Sequence, residues 1–130
     1  MVPFALRILV ADDEELIREA LVDVLGATQH TVVAAADGQV AIEALASQEF
    51  DLVFTDVVMP RATGIQVLEA ALSQKRPPRV VVVSGKEIAH SERDFLDYGA
   101  YAYFRKPYRL ADILSVTQRV AAELAAVCAR

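Results

Sequence analysis

Cysteine is almost absent from this 130-residue sequence: Cys128 is the single one, so no disulfide can form within the chain. No apolar run approaches the length of a membrane span. The stretch from Met1 to Ala11 lacks the basic start, the long apolar region and the clear cleavage site of a signal peptide. These absences argue against a disulfide-rich secreted domain and against a membrane protein. We expect a cytoplasmic protein.

Positive charge is also scarce. The chain has 13 Lys and Arg residues against 18 Asp and Glu residues, and its formal net charge is −5. Lys75, Arg76 and Arg79 are close in sequence, but Pro77 and Pro78 interrupt them, and we expect a solvated turn there. Nucleic acids bind to basic patches that neutralise phosphate groups. The composition therefore argues against direct binding of nucleic acid.

Apolar residues, in contrast, make up 55% of the chain, and we expect a single domain over residues 1–130. Five short apolar runs rich in β-branched residues alternate with longer segments of helical period. Such short runs are typical of strands that are covered on both faces. The predicted strands are Leu6–Ala11, Thr31–Ala34, Leu52–Thr55, Arg79–Val83 and Ala100–Phe104.

Amphipathic helices are predicted between the strands. We expect Gly26 to end the first helix, the Pro77–Pro78 pair to end the third, and Phe95 and Leu96 to anchor a short fourth helix from about Ile88. Strand–helix alternation predicts an α/β fold, a parallel sheet with helices on both faces. The predicted buried stripes of the other helices are Ile17, Ala20, Leu21, Val24 and Leu25; Val40, Ile42, Ala44 and Leu45; Ile65, Val67, Leu68, Ala71 and Leu72; and Leu110, Ile113, Leu114, Thr117, Val120, Leu124 and Val127.

Polar residues stand at the carboxyl ends of the predicted strands. In open parallel sheets, ligands bind at this edge. Asp12, Asp13 and Asp56 converge there if the first and third strands are neighbours, and two carboxylates about 5 Å apart repel each other by roughly 3 kcal/mol. The residues at the strand ends are Asp12 and Asp13, Asp37, Asp56, Ser84 and Lys106.

Three convergent carboxylates need compensation. A divalent cation, Mg²⁺ or alternatively Mn²⁺, would supply it because these cations prefer oxygen ligands, and Lys106 offers a second positive charge. Two alternatives stay open on the residues alone. One acid could remain protonated, or Asp12 could serve only as a helix N-cap. The second alternative leaves Asp56 and Lys106 unexplained.

Four segments resemble the receiver domain of response regulators, the phosphoacceptor domain of two-component signalling. The resemblance covers nearly the whole chain, and the segments follow the order and spacing of the family. It implies a flavodoxin-like (βα)5 sandwich with five parallel strands in the order 2-1-3-4-5. The segments are Leu9–Glu14 with the acidic pair, Phe54–Pro60 followed by Gly64, Val81–Gly85 with the switch hydroxyl, and Gly99–Tyr108 with the lysine.

The resemblance implies a role for each residue of the site. Asp56 would accept a phosphoryl group from a sensor histidine kinase or a histidine phosphotransfer protein, and Lys106 and Ser84 would contact the phosphoryl oxygens. The domain would be a regulatory phosphoacceptor rather than an enzyme, because it promotes only its own phosphotransfer and dephosphorylation. The implied ligands of Mg²⁺ are the carboxylates of Asp12 (through water), Asp13 and Asp56 and the backbone carbonyl of Val58.

Ser84 and Tyr103 form the implied switch. Ser84 would move toward the phosphoryl group, the ring of Tyr103 would fill the vacated space, and the surface of the fourth helix, fifth strand and fifth helix would change. That surface would then bind a downstream partner or a second copy of the chain. Lys106–Pro107 resembles the cis peptide bond of the family. The alternatives are a packed core aromatic at Tyr103 and an ordinary trans proline that begins the last helix.

The sequence departs from the family pattern around the site. Thr63 stands where the family often has Asp, and we expect altered hydrogen bonds in the loop with activity retained. Ser84 replaces the commoner Thr and keeps the hydroxyl. The apolar Val58 cannot orient an attacking water, and Lys86 could compete for the phosphoryl group. We therefore predict slow loss of phosphate.

Four further residues carry weaker signals. Leu16 would be either an exposed contact for a helix of the kinase or a partly buried packing residue. His30 and His90 are expected to be solvated surface residues, because neither has a metal-ligand partner at a useful spacing. Asp37, which precedes a glycine, is expected to form a turn and cap a helix.

Three other functions compete with this prediction. A haloacid-dehalogenase-like phosphatase uses the same residue types, but it carries a second Asp two residues after the nucleophile, where this chain has Val58. A pseudo-receiver would keep the fold without using phosphate, yet the whole set from Asp12 to Lys106 is intact. A mononucleotide-binding flavodoxin-like protein would need a glycine-rich phosphate loop, and the sequence has none.

Overall fold

The computed structural model describes residues 5–85 and 92–128. These residues form five strands and five helices that alternate along the chain. The strands are β1 (Arg7–Ala11), β2 (Thr31–Ala35), β3 (Leu52–Asp56), β4 (Arg79–Ser84) and β5 (Ala102–Arg105). The helices are α1 (Glu15–Gly26), α2 (Gly38–Ser47), α3 (Gly64–Leu72), α4 (Glu92–Asp97) and α5 (Leu110–Cys128). The predicted start of α4 near Ile88 lies outside the described residues.

The strands form one sheet in the order β2-β1-β3-β4-β5, and all four pairings are parallel. This confirms the predicted fold class and strand order. All five residues of the central strand β3 are buried, which explains its nearly continuous apolar sequence. The edge strand β2, by contrast, buries only Ala35 fully.

Two hydrophobic cores lie on opposite faces of the sheet. Successive side chains of a strand point to opposite faces, so that Leu9 of β1 belongs to one core while Ile8 and Val10 belong to the other. Helices α2, α3 and α4 cover the face of Leu9, and helices α1 and α5 cover the second face. The sheet is therefore closed on both faces, and its carboxyl edge is left for polar groups.

The boundary of the last strand differs from the prediction. The chain turns at Gly99, whose φ is +112°, and regular pairing with β4 begins only at Ala102 rather than at Ala100. Tyr101 still donates its N–H to the Val80 carbonyl at 2.7 Å. The predicted strand was thus too long at its start, because the apolar run includes two residues of the turn.

Five helical residues that were predicted to be buried are exposed, and two of them are Ala20 of α1 and Val40 of α2. Leu96 is 39% exposed, while its neighbour Phe95 is fully buried. Leu110 and Val127, at the two ends of α5, are also exposed. A 19-residue helix is about 28 Å long, whereas the four residues of β5 span about 13 Å, so α5 is much longer than the strand that precedes it. The middle of α5 is buried through Ile113, Val116, Thr117, Val120 and Ala121.

Helix α3 ends earlier than predicted. Its last residue is Leu72, five positions before Pro77, and the N–H of Ser73 donates to the Glu69 carbonyl at the C-cap. The prolines therefore do not end the helix. Helix α1 ends at Gly26 as predicted. Of the helices in the described ranges, none is both long and apolar enough to span a bilayer.

Candidate functional site

The carboxyl edge of the sheet gathers the predicted site residues. Asp12 and Asp13 directly follow β1, Asp56 is the last residue of β3, Ser84 is the last residue of β4, and Lys106 directly follows β5. β1 and β3 are neighbours, as the convergence of the acids requires.

Asp12, Asp13 and Asp56 form an acidic cluster. Each offers one carboxylate oxygen, and these oxygens all lie within 4.8 Å of one another. Asp12 and Asp56 are buried, whereas Asp13 is exposed. Oxygen donors at this spacing fit a hard divalent cation such as Mg²⁺.

Lys106 places its ammonium group among these acids. Its Nζ lies 2.9 Å from Asp12 Oδ2, 3.1 Å from Glu14 Oε1 and 3.2 Å from Asp56 Oδ2. Burial alone would lower the pKa of Lys106, but the hydrogen bond and charge of Asp12, followed by Asp56 and Glu14, outweigh it and raise this pKa above its usual value. The lysine is therefore a permanent cation that partly offsets the acids.

The Asp56 carboxylate is held from two sides. Its Oδ1 accepts the N–H of Val57 at 2.7 Å, and its Oδ2 accepts a hydrogen bond from Lys106. Burial, followed by the charge of Asp12, raises the pKa of Asp56, although Lys106 and the Val57 N–H oppose this rise. Burial thus disfavours the ionised form of the Asp56 carboxylate, whereas the neighbouring ammonium group of Lys106 favours it.

A cleft of about 200 Å³ opens over the acidic cluster and is lined by Asp13, Glu14, Asp56, Val58, Gly85 and Lys106. The side chain of Val58 is 45% exposed at its rim. Gly64 brings the start of α3 against the end of β3, since a β-carbon there would lie only 2.1 Å from the Asp56 carbonyl oxygen. The loop that carries Val58 is therefore short and tightly packed.

Ser84 and Tyr103, the residues of the predicted switch, lie on the neighbouring strands β4 and β5 in different surroundings. Ser84 is buried, and its carbonyl accepts the N–H of Lys106 at 2.8 Å. Tyr103 is half-buried and stacks on Phe95, with ring centroids 5.7 Å apart and an interplanar angle of 17°. In this structure Tyr103 packs as a core aromatic, and its part in a switch stays a prediction. The Lys106–Pro107 peptide bond is cis.

Two predictions about helix caps can be compared with the structure. Asp37 caps α2 by accepting the N–H of Val40 at 2.9 Å, as predicted. Thr63 forms a capping box with Gln66 at the start of α3: the Thr63 hydroxyl accepts the Gln66 N–H, and the Gln66 side chain accepts the Thr63 N–H. Asp12 is not the N-cap of α1, which is Glu14, although Asp12 Oδ1 accepts the Glu14 N–H at 2.9 Å.

The weaker signals have mixed outcomes. Leu16 is 83% exposed, so the alternative of a partly buried packing residue is wrong. His30 is not a solvated surface residue: it is half-buried, and its Nδ1 accepts the N–H of Leu6 at 2.9 Å. The sequence did not indicate this bond because it links residues 24 positions apart. Lys86 and His90 lie outside the described residues.

Sequence reasoning missed two residues of the site. Glu14 was recognised only as part of an acidic run, and its bond to Lys106 joins positions 92 apart. Tyr108 lines a second cleft beside the lysine with Glu14 and Ile17. Burial, followed by the charge of Asp12, raises the pKa of the Tyr108 hydroxyl. Only the position of Tyr108 two residues after the lysine could have pointed to it.

Comparisons with known proteins agree with this geometry. The family model described as response regulator receiver domain matches residues 8–118. The transcriptional regulatory protein PdtaR of Mycobacterium tuberculosis is 38% identical over 113 residues, which cover 83% of this chain and 53% of that protein. The chain thus spans about half the length of the curated relatives it matches.

Solved structures share the fold. The chemotaxis response regulator CheY4 of Vibrio cholerae superimposes with a TM-score of 0.78 at 26% identity, covering 89% of this chain and 98% of that one. A chain in the co-crystal structure of the Saccharomyces cerevisiae histidine phosphotransfer protein Ypd1 with the receiver domain of Ssk1 gives a TM-score of 0.85 at 18% identity, covering 96% and 94%. At this low identity, the second likeness concerns the fold alone.

Proposed function

The chain belongs to the response regulator receiver domain family, and on that premise we propose that Asp56 accepts a phosphoryl group in an Mg²⁺-dependent reaction. One observation carries the proposal. The carboxylates of Asp12, Asp13 and Asp56 lie together with the ammonium group of Lys106. Lys106 Nζ is 2.9 Å from Asp12 Oδ2 and 3.2 Å from Asp56 Oδ2. A carboxylate nucleophile beside fixed positive charge is the arrangement that aspartyl phosphate formation requires.

The acidic cluster fits a resident Mg²⁺. Asp12, Asp13 and Asp56 would hold it together with the backbone carbonyl of Val58, and Mn²⁺ would suit the same oxygen donors. When bound, the cation would neutralise charge on the phosphoryl oxygens and on the acids. Without the positive charge of the cation, the negative charge of the buried Asp56 would repel an incoming phosphoryl group.

Each side chain of the site would have a defined role in the transfer step. An oxygen of Asp56 attacks phosphorus, the bond from phosphorus to the donor's histidine nitrogen breaks, and the electron pair stays on the imidazole. Lys106 would exchange its bond with Asp56 for one with a phosphoryl oxygen, as its distance of 3.2 Å from Asp56 supports. The Ser84 hydroxyl and the N–H groups near Val57 and Gly85 would accommodate other phosphoryl oxygens.

The output follows from added charge. A phosphoryl group brings nearly two negative charges and three acceptor oxygens. We propose that Ser84 and Tyr103 respond to it and that the surface of α4, β5 and α5 changes, since Tyr103 lies in β5 and stacks on Phe95 of α4. A downstream partner or a second copy of the chain would read this surface.

The phosphodonor would be a phosphohistidine on a sensor kinase or on a phosphotransfer protein. The receiver domain of Ssk1 is bound to the phosphotransfer protein Ypd1 in its co-crystal structure. The exposed Leu16 of this chain lies directly beside the acidic residues and offers an apolar contact for a donor helix.

Labelling with acetyl phosphate tests the proposal. We expect one phosphoryl group per chain in the presence of Mg²⁺ and none after addition of a chelator. Asp56→Asn should lose the label, whereas Asp23→Asn, which removes an exposed acid from α1, should keep it. Equal labelling of the wild type and Asp56→Asn, or turnover of generic phosphate esters, would contradict the proposal.

A further inference from the structure

The loop between β3 and α3 turns sharply at Arg61. Ala62 donates its N–H to the Pro60 carbonyl at 2.8 Å, and φ of Arg61 is +70°. A bond from residue i+2 to residue i around a central φ near +75° belongs to the rare, strained form of the γ-turn. Arg61 is the one non-glycine residue with positive φ within residues 5–85 and 92–128. Glycine adopts this conformation readily and arginine does not, so a contact must compensate.

Asp37 supplies that contact from the neighbouring loop. Its Oδ1 accepts the Val40 N–H and caps α2, while its Oδ2 accepts a hydrogen bond from Arg61 Nη1 at 3.3 Å. The side chain of Asp37 is only 16% exposed, whereas that of Arg61 is 56% exposed. The capping bond therefore fixes the carboxylate, and the flexible guanidinium binds to it. One carboxylate holds both the start of α2 and the turn at Arg61.

The start of α2 also contacts the turn directly. The N–H of Gly38 donates to the Pro60 carbonyl at 3.4 Å. A β-carbon on Gly38 would lie 2.0 Å from the Ala62 carbonyl oxygen, so this approach of backbone to backbone requires glycine. The segment Pro60–Ala62 is therefore clamped against α2.

Val58 lies between this clamp and the end of β3. On one side, the Val57 N–H is bonded to the Asp56 carboxylate; on the other, Met59 is buried and leads into the clamped turn. We infer that Arg61 is a positioning residue for the Mg²⁺ site. Its ion pair with Asp37 stabilises the strained turn, and the turn keeps the Val58 carbonyl where it would coordinate the cation. This inference rests on the proposed function, which takes that carbonyl as a ligand.

Two substitutions at position 61 separate conformation from charge. Arg61→Ala removes the ion pair and keeps a side chain that disfavours positive φ, and it should raise the dissociation constant of Mg²⁺ roughly threefold to tenfold. Arg61→Gly also removes the charge but tolerates positive φ, and it should bind Mg²⁺ within about twofold of the wild type. Calorimetric titration of each folded chain with Mg²⁺ measures both values. If Arg61 acted only through its charge, both variants would bind the cation more tightly than the wild type.

Asp37→Asn provides an independent test that preserves the helix. Asn caps α2 as well as Asp does but carries no charge for Arg61. We expect Mg²⁺ affinity to fall roughly twofold to fivefold, and this loss should vanish when Arg61→Gly is already present.

Arg7→Ala is the matched control for Arg61→Ala. It removes one positive charge at the opposite edge of the sheet, where Arg7 is paired at 4.0 Å with Glu49 and with Asp51. It should leave Mg²⁺ affinity unchanged.

Urea unfolding without Mg²⁺ measures whether a substitution lowers the free energy of unfolding. Lost stability alone does not change the Mg²⁺ affinity of the molecules that remain folded, so a change in that affinity distinguishes positioning from a merely structural role. Wild-type affinity in both Arg61→Ala and Asp37→Asn would overturn the inference and leave the proposed function intact. A wild-type chain that binds no Mg²⁺ would instead overturn the proposed function, and the inference would fall with it.

Discussion

At the scale of single residues, the site depends on the ammonium group of Lys106, which donates hydrogen bonds to three carboxylates. Asp12, Glu14 and Asp56 lie between 2.9 and 3.2 Å from Nζ. The convergence of the two aspartates with the lysine followed from the sequence, because their positions at strand ends bring them to one edge. The part of Glu14 did not follow, because it depends on the reach of a side chain rather than on the position of a strand end.

Replacing the lysine should separate cation binding from phosphotransfer. In Lys106→Met the acids lose a neighbouring positive charge, so they should bind Mg²⁺ roughly threefold to tenfold more tightly. Labelling by acetyl phosphate should slow by about 100-fold, because a hydrogen-bond donor to the phosphoryl oxygens is lost. Calorimetry and labelling kinetics on the same preparation check both effects. Weaker cation binding in this variant would contradict the electrostatic account.

At the scale of elements, the strands were easier to predict than the ends of the helices. Buried strands appear in the sequence as short apolar runs. The run of β3 is an example, because every residue of this strand is buried. Helix ends depend on caps and on length relative to the sheet, as Leu110 and Val127 show by their exposure. Some contacts join distant elements and leave no local signal in the sequence. Glu123 on α5, for example, lies 3.2 Å from Arg79 and accepts a hydrogen bond from the Tyr101 hydroxyl at 2.9 Å.

The capping box of α3 begins at Thr63, where the sequence departs from the family pattern. Thr63→Ala should remove a side-chain bond to the Gln66 N–H and lower the free energy of unfolding by about 1 kcal/mol. Thr63→Asp, which also accepts from that N–H, should retain the stability of the wild type. Urea denaturation measures both. Equal loss in the two variants would show that the hydroxyl has another role.

At the scale of the whole molecule, two cores support a rim of polar groups, and most of this plan could be predicted. Strand–helix alternation placed helices on both faces, and the family resemblance supplied the strand order. What could not be predicted is the set of long-range bonds that join the loops, such as those of Arg61 with Asp37 and of His30 with Leu6. These bonds connect positions 24 apart, beyond any local pattern.

His30 should make global stability depend on pH. Burial lowers the pKa of His30, so the unfolded chain binds this proton more tightly than the native one, and the free energy of unfolding should decrease as the pH falls through about 6.5. His30→Asn keeps an acceptor for the Leu6 N–H and cannot titrate. The difference in urea midpoint between wild type and variant should therefore shrink or reverse below that pH. Parallel curves from neutral to acidic pH would contradict this assignment.

The identity of the phosphorylated side chain tests the central claim most directly. Borohydride reduces an acyl phosphate to an alcohol, which peptide mass spectrometry can locate. After incubation with acetyl phosphate and Mg²⁺, we expect the reduced side chain at position 56 alone, and no reduction when either reagent is omitted. Reduction at Asp12 or Asp13, or a stable phosphate on Ser84 with Asp56 unmodified, would contradict the account.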